Sequence, residues 1–494
     1  MKVKKLWLCA LLLAAPGWGV HELGAFCGCM APRAPGPSVE LSKIYNSDSK
    51  VILTRKDKQT IITMTNDFRG AAGEFALIIP VPHVLPQESI RVVRATVFDS
   101  LDRYSAPRLV QYTDPDPCWN ANRPRFGCGC GANNREDAKD AANTMSASGD
   151  AASNAAMAKF VNVEARYVVG EYEIVILSSQ QSEALNAWLA ANGYALPPEA
   201  EPVIQSYLQA GMKFFAAKVN PGVADPSAVM DLSPLQIRFE SENFMLPLRL
   251  GMINSAGEQD LTVFAFTERG RLEAANYPTH EVPWGHKLPR GVRDTFPEFY
   301  RAMFRKNRLR EGKNAVYVEN ARPLNHWRGC DFCPLNPINY EFLQACGVNW
   351  ISPAQWGPGF TGDVYFTRMH LLYAPSDFPQ DLTFIETANQ NTMTALYEIW
   401  QPFQGGSSCK VSADEVNKDK NREATAKKTY DDLLADASSL RMRLLALGFR
   451  LERMIPRPEE VFADAHDPRA VGDILLPFLM TLPVAWGMRR RFRR

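Results

Sequence analysis

The stretch Lys50-Val51-Ile52-Leu53-Thr54-Arg55-Lys56-Asp57-Lys58-Gln59-Thr60-Ile61-Ile62-Thr63-Met64 decides the fold class. Two runs rich in β-branched residues flank a polar turn, the pattern of a β-hairpin. The same grammar continues outward. Residues 74–82 (EFALIIPVP) read as a third strand. Its prolines predict an edge or a strand end, because proline cannot donate to a ladder. Residues 97–104 read as a short helix. Strands resume at 161–168 and 172–177. Residues 180–192 form a helical pattern with Leu185, Trp188 and Leu189 on one face and Gly193 at the C-terminal cap. A second helix is expected over 199–211 and another over 297–306. Further strands are expected at 235–239, 246–250, 261–267, 315–318, 364–373 and 396–400. Short strands dominate and no βαβ alternation is visible, so the expected class is α+β, with mainly antiparallel sheets and peripheral helices.

The expected organisation is a β-rich lobe over 26–130, a main α+β ectodomain over 160–409, and three segments of different character. Residues 131–159 are rich in Ala, Asn, Asp and Ser with almost no large apolar side chain, and read as a flexible insertion unable to bury enough to offset its ordering entropy. Residues 410–450 read as a charged helix opened by a capping box, Ser412-x-x-Glu415. Leu433, Ala437, Leu440, Leu444 and Leu447 make its second half amphipathic. That stripe covers about two heptads, short of the three or four of a coiled coil, so a helix packed on the body is the preferred reading. Residues 451–469 read as a linker.

Both ends carry address signals. Met1-Lys2-Val3-Lys4-Lys5 is basic, residues 6–20 are apolar, and Leu23-Gly24-Ala25 is a small-residue stretch. That order is a secretory signal peptide over 1–25, cleaved after Ala25 or after Gly19. At the other end, residues 474–488 (ILLPFLMTLPVAWGM) precede Arg489, Arg490, Arg491, Arg493 and Arg494. An apolar run followed by arginines is a stop-transfer pattern, because arginines remain cytoplasmic. The two ends agree on one topology: an extracytoplasmic body, in the periplasm or at the cell surface, anchored to the inner membrane by its C-terminus. The run is shorter than the ~20 residues of a span and is interrupted by Pro477 and Pro483, so a processed sorting tail and an interfacial helix remain alternative readings.

Composition narrows the function classes. The net charge is +1 with 22% charged residues, which gives no global basic excess for nucleic acid. Cys27, Cys29, Cys118, Cys128, Cys130, Cys330, Cys333, Cys346 and Cys409 remain after signal cleavage. In an oxidising envelope they are first of all candidate disulfide or redox cysteines. Nine is odd, so at least one thiol is free, pairs between chains, or binds something else. Cysteines two apart on an extended chain lie about 6.6–7 Å apart, so Cys27–Cys29 and Cys128–Cys130 each pair outward.

Chemical motifs are few. Cys330-x-x-Cys333 has metal-ligand spacing, and His326 and Cys346 lie near it in the sequence. The oxidising compartment favours disulfides there, and Pro334 with the loop-like flanks argues against a thioredoxin-type site. His280, Glu281 and His286 do not fall on one helix face, since Pro283 forbids a regular helix. There is no G-x-S-x-G elbow, no P-loop and no G-x-G-x-x-G. His370, in an alternating strand, reads as a residue on one face of a sheet. No catalytic residue, metal or cofactor is assigned.

Several of these stretches form a pattern. Residues 43–84, Leu101-Asp102-Arg103-Tyr104-Ser105-Ala106-Pro107-Arg108-Leu109, Gly257-Glu258-Gln259-Asp260-Leu261, Cys330-Asp331-Phe332-Cys333 before Pro334, and Phe366-Thr367-Arg368-Met369-His370-Leu371 together resemble the bacterial secreted domain-of-unknown-function family 2330. The resemblance covers roughly residues 26–404. It implies an exported bacterial protein and carries no activity over. The expected function is a non-enzymatic binding or interaction ectodomain, stapled by disulfides, whose partners are the membrane and an envelope protein or polymer. The alternative is an envelope redox or metal-binding protein using Cys330 and Cys333.

Overall fold

The structure, a computed structural model, describes residues 29–32, 49–66, 75–115, 161–219, 232–253, 258–324, 338–356, 360, 364–403 and 411–435. In chain order its strands are β1 (Cys29–Pro32), β2 (Ser49–Lys56), β3 (Gln59–Asn66), β4 (Phe75–Val81), β5 (Ile90–Val92), β6 (Arg108–Thr113), β7 (Val161–Val169), β8 (Tyr172–Ser179), β9 (Lys213–Val219), β10 (Leu232–Glu240), β11 (Met245–Leu246), β12 (Gln259–Thr267), β13 (Leu272–Ala274), β14 (Thr279–Glu281), β15 (His286–Lys287), β16 (Val316–Pro323), β17 (Tyr365–Tyr373), β18 (Leu382–Glu386), β19 (Met393–Thr394) and β20 (Leu396–Gln401). The helices are α1 (Thr96–Ser105), α2 (Ser182–Ala191), α3 (Ala200–Gln209), α4 (Leu248–Met252), α5 (Phe296–Glu311), α6 (Tyr340–Ala345) and α7 (Ala413–Leu434).

A nine-stranded sheet runs β14-β16-β17-β12-β2-β3-β10-β5, with β19 beside β16. A five-stranded sheet runs β1-β4-β9-β8-β7, and two three-stranded sheets, β11-β18-β13 and β15-β20-β6, flank them. Most pairings are antiparallel, and the α+β class stands. The parallel exceptions are β2 with β12, β14 with β16, β15 with β20, and β20 with β6. One of them, β14 with β16, has α5 in the connection between its strands.

The hairpin forms where its residues predict. Its two-residue turn is Asp57-Lys58, with Asp57 at φ 52°. Aspartate tolerates that left-handed region better than most side chains. β4 is not an edge strand along its whole length. β1 covers it only from Phe75 to Ile78, so Pro80 falls beyond the last ladder bond on that side. Residues 246–250 are not one strand: after β11, Pro247 becomes the N-cap of α4, since it has no N–H for a ladder. β9 (KFFAAKV) has a weak strand signal of its own, because its alanines and lysines dilute the β-propensity of two phenylalanines and a valine. It forms because β4 and β8 pair with it on both sides.

Three clusters make the core. On one face of the five-stranded sheet, α2 and α3 bury Leu185, Leu189, Ile204 and Tyr207 against Ile78, Leu177 and Phe214. On one face of the large sheet, α1 and α6 bury Phe98, Leu101 and Leu343 against Ile52, Phe264 and Phe366. Its other face packs Val51, Leu53, Val263 and Met369 into the main cluster, which α5 joins through Phe299, Met303 and Phe304. The central strands are therefore buried on both sides and read as continuous apolar runs. α7 docks on the body. Its capping box forms with both reciprocal bonds, Tyr430 stacks on Phe299 with centroids 5.2 Å apart, and Arg422 grips Asp114 at 2.6 and 2.7 Å.

The described residues contain no disulfide. Cys346, expected among the disulfide candidates, is instead a free thiol with no exposed surface. It sits at the end of α6 as part of the buried apolar cluster that includes Ile52 and Phe98. Among the described residues no helix is long and apolar enough to cross a membrane. The insertion at 131–159, the linker and the tail lie outside the described residues.

Candidate functional site: a buried charge network on the large sheet

Arg368 and His370 are two apart on β17 and so share one sheet face. Thr262 of β12 lies beside His370, and Lys50 of β2 lies beside Thr262, so these positions form a row across three strands. Asp260, two before Thr262, falls on the same face. Glu319 comes from the other neighbour, β16, at an irregularity: Val318 pairs Met369 and Asn320 pairs Arg368, which leaves Glu319 as the extra residue of a bulge. Bulges re-aim side chains beside functional centres. Here the extra residue points its carboxylate between Arg368 and His370.

The bonds form one chain. Glu319 Oε2 accepts from Arg368 Nε at 2.6 Å. Its Oε1 lies 2.8 Å from His370 Nδ1 and accepts from the Tyr300 hydroxyl at 2.6 Å. His370 Nε2 lies 2.8 Å from Asp260 Oδ1. Arg368 Nη1 donates to Asp102 Oδ1 at 2.7 Å, and Lys50 donates to the other oxygen of Asp102. Phe304 of α5 stacks on the imidazole at 4.0 Å between centroids, and the Arg368 guanidinium lies over Phe264 at 5.1 Å. Glu319 is 1% exposed and His370 16%.

Burial by itself would raise the Glu319 carboxyl, but the cations of His370 and Arg368, with three hydrogen bonds, hold it down to about 2. Burial opposes charge on His370 as well, yet Asp260 and Glu319 push it up to about 10. Burial raises the Tyr300 phenol well above its usual value, and the Glu319 charge adds to that. Near neutral pH the imidazole is therefore a cation donating from both nitrogens. It holds no lone pair for a substrate proton and its partners leave it no free donor. The arrangement fixes charge and positions strands, with both imidazole nitrogens and both Glu319 oxygens bonded, and Asp260, 40% exposed, forms its open end.

A smaller network ties α3 and α4 to the residue just before β18. Asp381 accepts from the Tyr207 hydroxyl at 2.8 Å and from the Arg249 backbone at 3.0 Å, while Arg249 Nε and Nη2 reach its second oxygen at 3.2 and 3.1 Å. Arg249 also covers the Tyr207 ring at 5.0 Å.

Most sequence-derived candidates fall elsewhere. Cys27, Cys118, Cys128, Cys130, Cys330, Cys333 and Cys409, with His326, lie outside the described residues, as do Arg489, Arg490, Arg491, Arg493 and Arg494. Cys29 stands in β1 opposite Ile78. Cys346 is a free thiol; burial raises it well above the ordinary value, so it is held protonated. Among the described residues no cluster of three or more His, Cys, Asp or Glu is placed to hold a metal ion. His280 stands in β14 and His286 in β15, on different sheets. His370 does face one side of a sheet, as its strand suggests, but that side is closed.

The network is not visible as a site in the sequence, although four of the stretches carrying the family resemblance each supply part of it: Lys50, Asp102, Asp260, and Arg368 with His370. The charged residues inside otherwise apolar strands were the available signal. Glu319 and Tyr300 had none, since a lone acid and a helical tyrosine are ordinary.

These features define a class: an α+β protein on a large, doubly covered, mainly antiparallel sheet, locked by an internal ion network. The chain belongs to the family described as "Uncharacterized protein conserved in bacteria (DUF2330)", whose model matches residues 22–385. No curated protein and no solved structure matches it.

Proposed function

We propose that this protein is exported to the bacterial cell envelope and works there by binding, as a non-enzymatic ectodomain presented at a membrane by its C-terminal segment. The observation that carries the binding reading is the engagement of the charge network. At the one point where His370, Glu319, Asp260 and Arg368 meet, both imidazole nitrogens and both Glu319 oxygens are bonded to other side chains. The groups that acid–base chemistry would need are used to hold strands together.

The export reading is supported by the order of charges, apolar residues and small residues in 1–25, and the anchor reading by the apolar run 474–488 with its five terminal arginines. Cysteines outside the described residues are the proposed staples of the body. The partner is an envelope protein or polymer.

The test is fractionation of cells expressing the full chain and a chain ending at residue 469, followed by crosslinking and pull-down with an antibody to the body. The reading expects the full chain in the membrane fraction, protease-accessible from outside the cytoplasm, and a specific crosslinked partner that survives Glu281→Gln at an exposed acid. A full chain found in the cytosol refutes export. Turnover of an envelope substrate by the purified body, abolished by a single point substitution in a folded variant, refutes the binding role.

A further inference from the structure

A second polar cluster lies on the opposite flank of the large sheet and takes no part in the network above. Here β3, β5 and β10 run side by side, and the turn after α6 closes over them. Arg91 lies opposite Gln236 in the register, and Arg238 follows two residues on, so both guanidiniums share one face with Gln236. Together with Glu88, Gln344 and Asn349 they line a cleft of about 170 Å³. At roughly 30 Å³ per water, that holds five or six waters or one small anionic group.

The cleft is built, not incidental. Gln236 is 4% exposed, and its amide nitrogen donates to Thr63 Oγ1 at 2.7 Å and to the Ala345 carbonyl at 2.9 Å. That leaves its oxygen to accept from Arg91 Nε at 2.6 Å. Arg91 Nη2 is held in turn by the Gln344 carbonyl at 2.9 Å. The guanidinium is thus fixed in place by two bonds with Nη1 uncommitted. Gly347 sets the wall: at φ 93° it lies so close to β3 that a Cβ there would stand 2.9 Å from the Ile61 side chain. Among the described residues no carboxylate forms an ion pair with Arg91 or Arg238. Burial, and after it the like charge of Arg238, lower Arg91 below the ordinary guanidinium value. Two cations face one cleft, and neither is ion-paired among the described residues, although Glu88 also stands in the lining.

We propose that this cleft binds a small oxyanion, a carboxylate or phosphate group, gripped by Arg238 from the open side and by the fixed Arg91 from the sheet. Guanidiniums match the two oxygens of such groups by parallel N–H donors, and an anion removes the repulsion between them. The assignment deepens the binding reading by giving it one ligand site, and it can fail while the pull-down above still succeeds.

The probes are sodium acetate and sodium phosphate, titrated against the full-length protein at constant ionic strength set with sodium chloride, with thermal unfolding as the readout. A ligand of the native state raises the midpoint with a saturable dependence on its concentration. The expected result is saturable stabilisation by at least one probe, weakened about tenfold or more in Arg238→Gln and retained in part by Arg238→Lys. Arg238 is exposed, so these variants keep the fold, and in the absence of probe Arg238→Gln is expected to be at least as stable as the parent. Response to acetate alone identifies a carboxylate site; response to phosphate alone identifies a phosphate site. Absence of saturable stabilisation by either up to about 50 mM, or equal stabilisation of Arg238→Gln, overturns the proposal.

Discussion

Replacing Glu319 by glutamine removes one negative charge from a place where it faces two cations and a phenol. The side chain keeps its size, but one acceptor oxygen becomes an NH2 donor, so the change removes the charge and one of two acceptors together. The imidazole rises from an ordinary 6.5 to about 10, a difference that corresponds to roughly 5 kcal/mol. The carboxyl falls from 4.5 to about 2, corresponding to roughly 3 kcal/mol. Both describe largely the same interaction, so they are not summed. The expected loss for Glu319→Gln is about 3–5 kcal/mol, the range for breaking a buried ion pair from one side. The pH dependence has a fixed sign. A raised His370 contributes fully below 6.5 and its contribution is lost as pH rises through about 10. A depressed Glu319 contributes fully above 4.5 and its contribution is lost as pH falls through about 2. The network is therefore strongest between about pH 4.5 and 6.5. Urea unfolding of parent and variant at pH 5.5 and 9 measures both effects, and NMR titration of the His370 ring measures the proton directly. The parent should lose stability towards pH 9, and the variant should lose less of it, because only Asp260 still favours the cation. An imidazole titrating near 6.5, or a variant within 1 kcal/mol of the parent at pH 5.5, refutes the reasoning.

Three further outcomes follow from packing. Gly270→Ala places a Cβ 2.2 Å from the Thr387 carbonyl oxygen, so backbone must move and stability should fall by roughly 1–3 kcal/mol in thermal unfolding. Tyr430→Ala removes the ring stacked on Phe299 and should cost about 3 kcal/mol or release α7 alone, seen as faster amide exchange over 413–434 with the sheets still protected. Cys346, buried and protonated, should resist a thiol reagent in the native protein and react fully in urea; rapid native labelling of Cys346, mapped by peptide, would contradict its placement.

Local structure was legible wherever a short stretch contains its own cause. The hairpin over 49–66 follows from two β-branched runs around Asp57-Lys58, the α7 cap from Ser412 and Glu415, and the end of α2 from Gly193 at φ 83°. Where the cause lies in another part of the chain, reading failed. β9 is a strand because β4 and β8 clasp it, and the Cys346 thiol is held protonated because the packed cluster around α1 and α6 buries it.

The amino-acid sequence by itself determined the α+β class, its mainly antiparallel character and the family, because these depend on residue type and spacing within short windows. Only the tertiary structure decided that β2 lies parallel to β12 more than two hundred residues away, and that a bulge turns Glu319 towards Arg368 and His370. It alone placed Arg91 and Arg238 on one face, with no carboxylate ion-paired to either among the described residues. The reason is physical: charge–charge interaction depends on distance and burial, and neither is set until strands distant in the chain have been packed side by side.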